Sequence, residues 1–225
     1  MLRLRTLILP ALLCVFLPLA CARSPEEQKA RHLTRAERYF GDGDFGEAII
    51  EYRNVLKLDP DNALAVRRLG LAHHELGELR QSFAYLLRAR ELDSGDVETR
   101  LKLAGLYLAG REAGEARTEA LSVLKDDPDS FEALLLLGAA ATTPEEVDQA
   151  IERLESARGR FGDRAKLHIA LGSLYLQRSD VEKAKRSFEE AVSREPKAVE
   201  PRVAMGEYHL RRNDLEGAER EFRAA

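Results

Sequence analysis

Apolar side chains in Ala165–Ala198, AKLHIALGSLYLQRSDVEKAKRSFEEAVSREPKA, fall at helical spacing in two short bursts on either side of a polar turn. Thirty-four residues of this kind predict two short amphipathic helices folded back on each other. Bulky and small side chains hold separate places within them. Leu171, Tyr175 and Phe188 fill the space between helices, whereas Gly172, Ala184 and Ala191 lack bulk where two helix axes must come close.

The pattern returns every 34 residues, in units 29–62, 63–96, 97–130, 131–164, 165–198 and 199–225, with no residue inserted between them. The first unit carries Ala36, Tyr39, Gly43, Phe45, Ala48, Tyr52 and Pro60 in or beside the same columns, behind a polar stretch, 21–28, that predicts a short tether. Later units repeat the framework as Leu69-Gly70 with Leu86, Leu103-Ala104 with Tyr107, Leu137-Gly138 with Leu154, and Met205-Gly206 with Phe222. Only the fourth turn differs, reading Thr142-Thr143-Pro144-Glu145-Glu146 where Ala141 replaces the usual aromatic. There Thr143 is placed to cap the second helix, Pro144 suits the first helical position and Glu146 can return a bond to the cap. The exposed pairs Glu182 with Arg186 and Glu190 with Arg194, four residues apart, solubilise the second helix of the fifth unit. The chain stops at Ala225 inside the second helix of the sixth unit without a polar capping helix, an ending that predicts a fragment of a longer protein.

These columns resemble the tetratricopeptide repeat, whose signature W-x2-L-G-x2-Y, A-x3-F and P spans a 34-residue period. Residues 165–198 match it in His168 (where Trp is commonest), Leu171-Gly172, Tyr175, Ala184, Phe188, Ala191 and Pro196. The resemblance implies an all-α fold, an α-solenoid of six helix-turn-helix units forming a right-handed superhelix. Its concave wall would be lined by the first helix of every unit.

Each unit needs only its neighbours to bury an apolar face, so 225 residues set no domain count. The net charge is −4, and losing residues 1–20 would remove Arg3 and Arg5 but no acid, leaving −6. A mildly acidic surface of mixed sign argues against nucleic-acid binding. Cys14 and Cys21 both lie in the first 21 residues, so the repeats have no disulfide framework. No HExxH, phosphate-binding glycine loop or G-x-S-x-G is present, which predicts a protein without catalytic, cofactor or metal chemistry. His73-His74-Glu75 has metal-ligand residue types, but neighbouring helical residues point about 100° apart, and His73 stands in the column of Tyr39, Tyr107 and Tyr175, so packing is the better reading. Gly41-Asp42-Gly43-Asp44 lacks the ligands and closing Glu of a calcium loop and reads as a turn, while Asp126, Asp127 and Asp129 read as solvated loop and cap residues.

At the N-terminus, Arg3 and Arg5 precede an apolar run from Thr6 to Ala20, the size of a secretory signal and short for a membrane span. Leu17-Pro18-Leu19-Ala20-Cys21 resembles a bacterial lipobox, with Pro18 in the place usually held by Leu. That resemblance implies a signal peptide over 1–20, a lipidated Cys21 as the mature N-terminus and, with Ala22 following, an outer-membrane anchor facing the periplasm. Cleavage after Ala20-Cys21-Ala22 is the alternative, releasing a soluble periplasmic or secreted protein from Arg23.

For the concave face, the resemblance points to the columns of Lys166, Ile169, Ala170, Ser173, Leu176 and Gln177. Chaperone-binding members carry a carboxylate clamp with Asn in the Ser173 column, which here reads Glu37, Leu71, Gly105, Ala139, Ser173 and Glu207, so no clamp is expected. What remains is an apolar strip, Leu101, Leu135, Ile169 and Val203 in one column and Leu108, Leu176 and Leu210 in another, beside a basic spot of Arg67, Arg68 and Lys102. Such a strip can hold a partner helix or extended segment, or can pack as ordinary core. The family likeness therefore implies a scaffold that docks other envelope proteins, with exopolysaccharide export or a related secretion or assembly pathway as its setting. The alternatives are a presenting module of a longer enzyme or secretion component, and a structural spacer.

Overall fold

The structure, a computed structural model, describes residues 24–162 and 164–225. The signal-like segment and Cys21 lie outside the described residues. Within them the chain runs α1 (Pro25–Asp42), α2 (Phe45–Leu58), α3 (Ala63–Glu75), α4 (Leu79–Leu92), α5 (Val97–Ala109), α6 (Ala113–Asp126), α7 (Phe131–Ala139), α8 (Pro144–Phe161), α9 (Ala165–Gln177), α10 (Val181–Arg194), α11 (Val199–Arg211) and α12 (Leu215–Ala224), with no strand among them. From α3 onward, each odd-numbered helix opens 34 residues after the last.

Helices pair as hairpins, each hairpin packs on the next, and the first helices α5, α7, α9 and α11 also touch one another in succession. Among the described residues no second helix makes comparable contact with the second helix of the following unit. The stack is therefore tighter along its first-helix side. This is an all-α solenoid, with apolar clusters that run from one hairpin into the next.

Small side chains sit where the axes converge. A Cβ added to Gly172 would lie 2.8 Å from the Phe188 ring, and one added to Gly70 would lie 2.7 Å from Leu86. In the third unit the equivalent positions are Ala104 and Ala120, both fully buried. Between the paired helices the backbone turns through a left-handed residue at Gly43, Gly77, Arg111, Ser179 and Asn213, with φ between 60° and 82°.

The fourth unit has no such residue. Its first helix, α7, is nine residues long, and α8 begins directly after Thr143, whose hydroxyl accepts the Glu146 amide at 3.2 Å. Glu146 in return accepts the amides of Thr142 and Thr143 at 2.9 and 3.3 Å, which completes the capping box that the sequence predicts. The expected tether over 21–28 is corrected in its described part. Pro25 opens α1, and Ser24 caps it by accepting the Glu27 amide at 3.2 Å. The polar residues 25–28 form its first turn because a Ser cap, a Pro at the first position and two acids near the helix N-terminus all favour helix there.

Candidate protein-binding groove

Lys166, Ile169, Ala170, Ser173 and Gln177 form one stripe of α9, since residues three and four apart share a helix face. That stripe is one wall of an open groove of about 390 Å³ between α7, α9 and the start of α11. Leu135 and Leu136 of α7 complete an apolar floor with Ile169, Ala170 and Leu174. The rim is polar. Glu132, Lys166 and Glu200 occupy the same column of three successive units, so one cation stands between two acids, with Ser173 and Gln177 along the α9 wall.

Close approach of the helices makes the groove shallow and continuous: a Cβ on Gly138 would touch both Leu154 and Leu174 at 3.4 Å. A smaller hollow of about 120 Å³ continues from Ile169 and Leu176 toward Tyr208 and Arg211. The groove thus offers apolar contact along its floor, hydrogen bonding at its edges and charges of both signs. These are the means of holding a peptide segment or a helix.

Two family models match the chain, "TPR repeat" over residues 36–77 and "Tetratricopeptide repeat" over residues 169–225. Tetratricopeptide repeat protein 4 of Mus musculus is 31% identical over 98 residues, a stretch that is 42% of this chain and 25% of the mouse protein. The chain therefore spans about a quarter of that relative's length. Among solved structures, a tetratricopeptide repeat protein from Parabacteroides merdae superposes with a TM-score of 0.74 at 15% identity, covering 87% of this chain and 77% of its own. Pseudomonas aeruginosa pilF superposes at 0.62 and 15% identity, covering 88% and 90%, and a thermophilic TPR protein of Thermus thermophilus at 0.62 and 23% identity, covering 71% and 87%.

This chain carries tetratricopeptide repeats. Repeats of this kind are protein-interaction scaffolds, and the groove lies along its first helices, where partner segments have room to dock.

In this repeat solenoid the sequence-predicted strip divides. Leu135 and Ile169 share the large groove, and Ile169 and Leu176 share the smaller hollow. Leu101, Leu108 and Val203 are half-buried along the same helices without lining either, and Leu210 is exposed. The basic spot is corrected. Arg67 pairs with Asp96 at 2.7 Å, and Arg68 pairs with Glu37 at 3.0 Å and lies over the Phe40 ring at 4.6 Å, while Lys102 is half-buried on α5. Carboxylates neutralise both arginines, Asp96 from the end of the same unit, 29 residues on, and Glu37 from the preceding unit, 31 residues back.

His73 is buried, stacks on Tyr85 with ring centroids 5.4 Å apart, and shares a 2.5 Å hydrogen bond with Glu78. Among the described residues no three potential ligands cluster as for a metal ion. Tyr175 donates to Glu155 at 2.8 Å, and burial together with that carboxylate pushes its phenol up to about 12. Of the exposed pairs, Glu190–Arg194 forms at 3.3 Å.

One regularity escaped the sequence reading. In three units a base on the first helix meets a glutamate on the second, 19 residues on: His32 with Glu51 at 2.5 Å, Arg100 with Glu119 at 2.6 Å, Arg202 with Glu221 at 3.1 Å. His32, Arg100 and Arg202 stand in the column where the family commonly has Trp, the column also held by His168. A search for opposite charges at a fixed 19-residue offset within each unit would have found them.

Proposed function

We propose that this protein is a non-catalytic scaffold of the bacterial cell envelope, held at a membrane through lipidated Cys21 and docking a partner protein in the α7–α9 groove. The observation that carries the docking half is the apolar floor of Leu135, Leu136, Ile169 and Ala170 left open to solvent along the first helices. A core leucine would be covered by the next helix. These side chains instead stay accessible while Gly138 and Leu174 beneath them are buried. The anchoring half is supported by the charged, apolar and Cys-terminated run of residues 1–21. Outer-membrane attachment facing the periplasm, and a place in exopolysaccharide export or a related assembly pathway, complete the reading.

The test places a photocrosslinking amino acid at Ser173, in the groove, and at Lys185, on the exposed face of α10. A partner captured from Ser173 and not from Lys185, and lost in Leu135→Glu/Ile169→Glu protein of unchanged helicity, is the expected result. Equal capture from both positions, or capture unaffected by the two glutamates, would overturn the groove assignment.

A further inference from the structure

Three charged residues stand in a row at one edge of the peptide groove: Glu132 in the first turn of α7, Lys166 in the first turn of α9 and Glu200 in the first turn of α11. All three are exposed. Among the described residues none of them makes an ion pair or a side-chain hydrogen bond, although Lys166 shares its column with an acid on either side. Elsewhere in the stack such neighbours find each other, as Arg90 finds Glu119 and Arg117 finds Glu146 across successive units, the latter pair at 3.4 Å. Helix chemistry accounts for the two acids, which suit a helix N-terminus, and not for Lys166, whose charge opposes the dipole of α9.

The row also has a step. α7, α9 and α11 touch in succession, which sets neighbouring axes about 8–10 Å apart. A polyproline II segment rises about 3.1 Å per residue and returns to the same face at every third residue, about 9 Å on. A β-strand returns after two residues, only about 7 Å on, and falls out of step with the row. An α-helix matches it only at every seventh residue and brings a body about 10 Å wide, for which a groove of about 390 Å³ has little depth.

Resting on the groove reading above, we propose that the guest is a polyproline II segment carrying a base, an acid and a base at every third position. Its bases meet Glu132 and Glu200, its acid meets Lys166, and the apolar residues between them lie on Leu135 and Ile169. The order is the same read from either end, so it holds whichever way the segment runs. Lys166 is the residue that sets the order, since a row of three acids would accept any basic segment.

Two synthetic peptides with blocked ends test it on the full chain, Lys-Leu-Pro-Glu-Leu-Pro-Lys and Lys-Leu-Pro-Lys-Leu-Pro-Glu. They share one composition and one net charge, so only the order differs. Calorimetric titration at low salt should find the first tighter by about tenfold, because two of the three charges in the second are mismatched in either direction. Lys166→Glu, at an exposed position, makes the row uniformly acidic and matches both peptides equally, so the preference should vanish while helicity is unchanged. Equal affinity of the two peptides for wild type, or a preference that survives Lys166→Glu, overturns the proposal. Binding of neither peptide overturns it as well, and crosslinking from Ser173 reports separately whether the groove holds a partner at all.

Discussion

Glu119 keeps 2% of its side chain exposed and holds two arginines, Arg90 from the preceding unit and Arg100 from its own. Removing the acid leaves two guanidinium groups facing each other in a half-buried space. Glu119→Ala should therefore cost about 3 kcal/mol in urea denaturation, and Arg90→Ala, which leaves the Arg100 pair in place, should cost less. Glu51 is the counterpart in the first unit. Hydrogen bonds from Arg35 and His32 hold its carboxyl at about 2, against burial that works the other way. A carboxyl depressed in the folded state contributes stability above its unfolded value and loses it as the pH falls toward the folded one. The difference in thermal midpoint between wild type and Glu51→Gln should be full at neutral pH and close as the pH drops from 4.5 toward about 2. Framework residues such as Gly172 and Phe188 were legible because their spacing repeats along the chain. The charge pairs were hidden, since Arg90 and Glu119 are 29 residues apart and meet only after two units have stacked.

Among elements, the fourth hairpin shows how much local chemistry can announce. Thr143, Pro144 and Glu146 state the start of α8 in the sequence, and the capping box forms as written. Thr143→Ala should cost about 1 kcal/mol and speed hydrogen exchange of the Glu146 amide, which loses its acceptor. The same rules applied to Ser24-Pro25-Glu26-Glu27 would have started α1 four residues before Lys29. Polar composition concealed that start, because a first turn exposed on every side carries no apolar stripe. Arg111, Ser179 and Asn213 are likewise invisible to a search for glycine, though each takes the left-handed turn that Gly43 and Gly77 take at lower cost.

For the whole molecule, stability is a sum over neighbours, and ion pairs such as Arg178–Asp148 at 3.1 Å tie one unit to the next. The register of this stack was readable from period alone. Which columns stay open to solvent was only partly readable: Leu135 and Ile169 face the groove, whereas Arg67 and Arg68 are claimed by Asp96 at the end of their own unit and Glu37 of the preceding one. The proposed attachment to a membrane rests on residues 1–21, outside the repeats. Intact protein should sediment with membranes and carry acyl mass, and Cys21→Ser protein should be found soluble and without it.

The unbroken 34-residue spacing has a consequence for how such a protein can change. A duplication or deletion of one complete unit preserves the reading frame and, at the same stroke, returns every Leu-Gly and Ala-Phe column to the partner it expects. Groove length is then adjustable in whole steps, so the size of guest a lineage accommodates can shift by copying units, with no need to invent a new core.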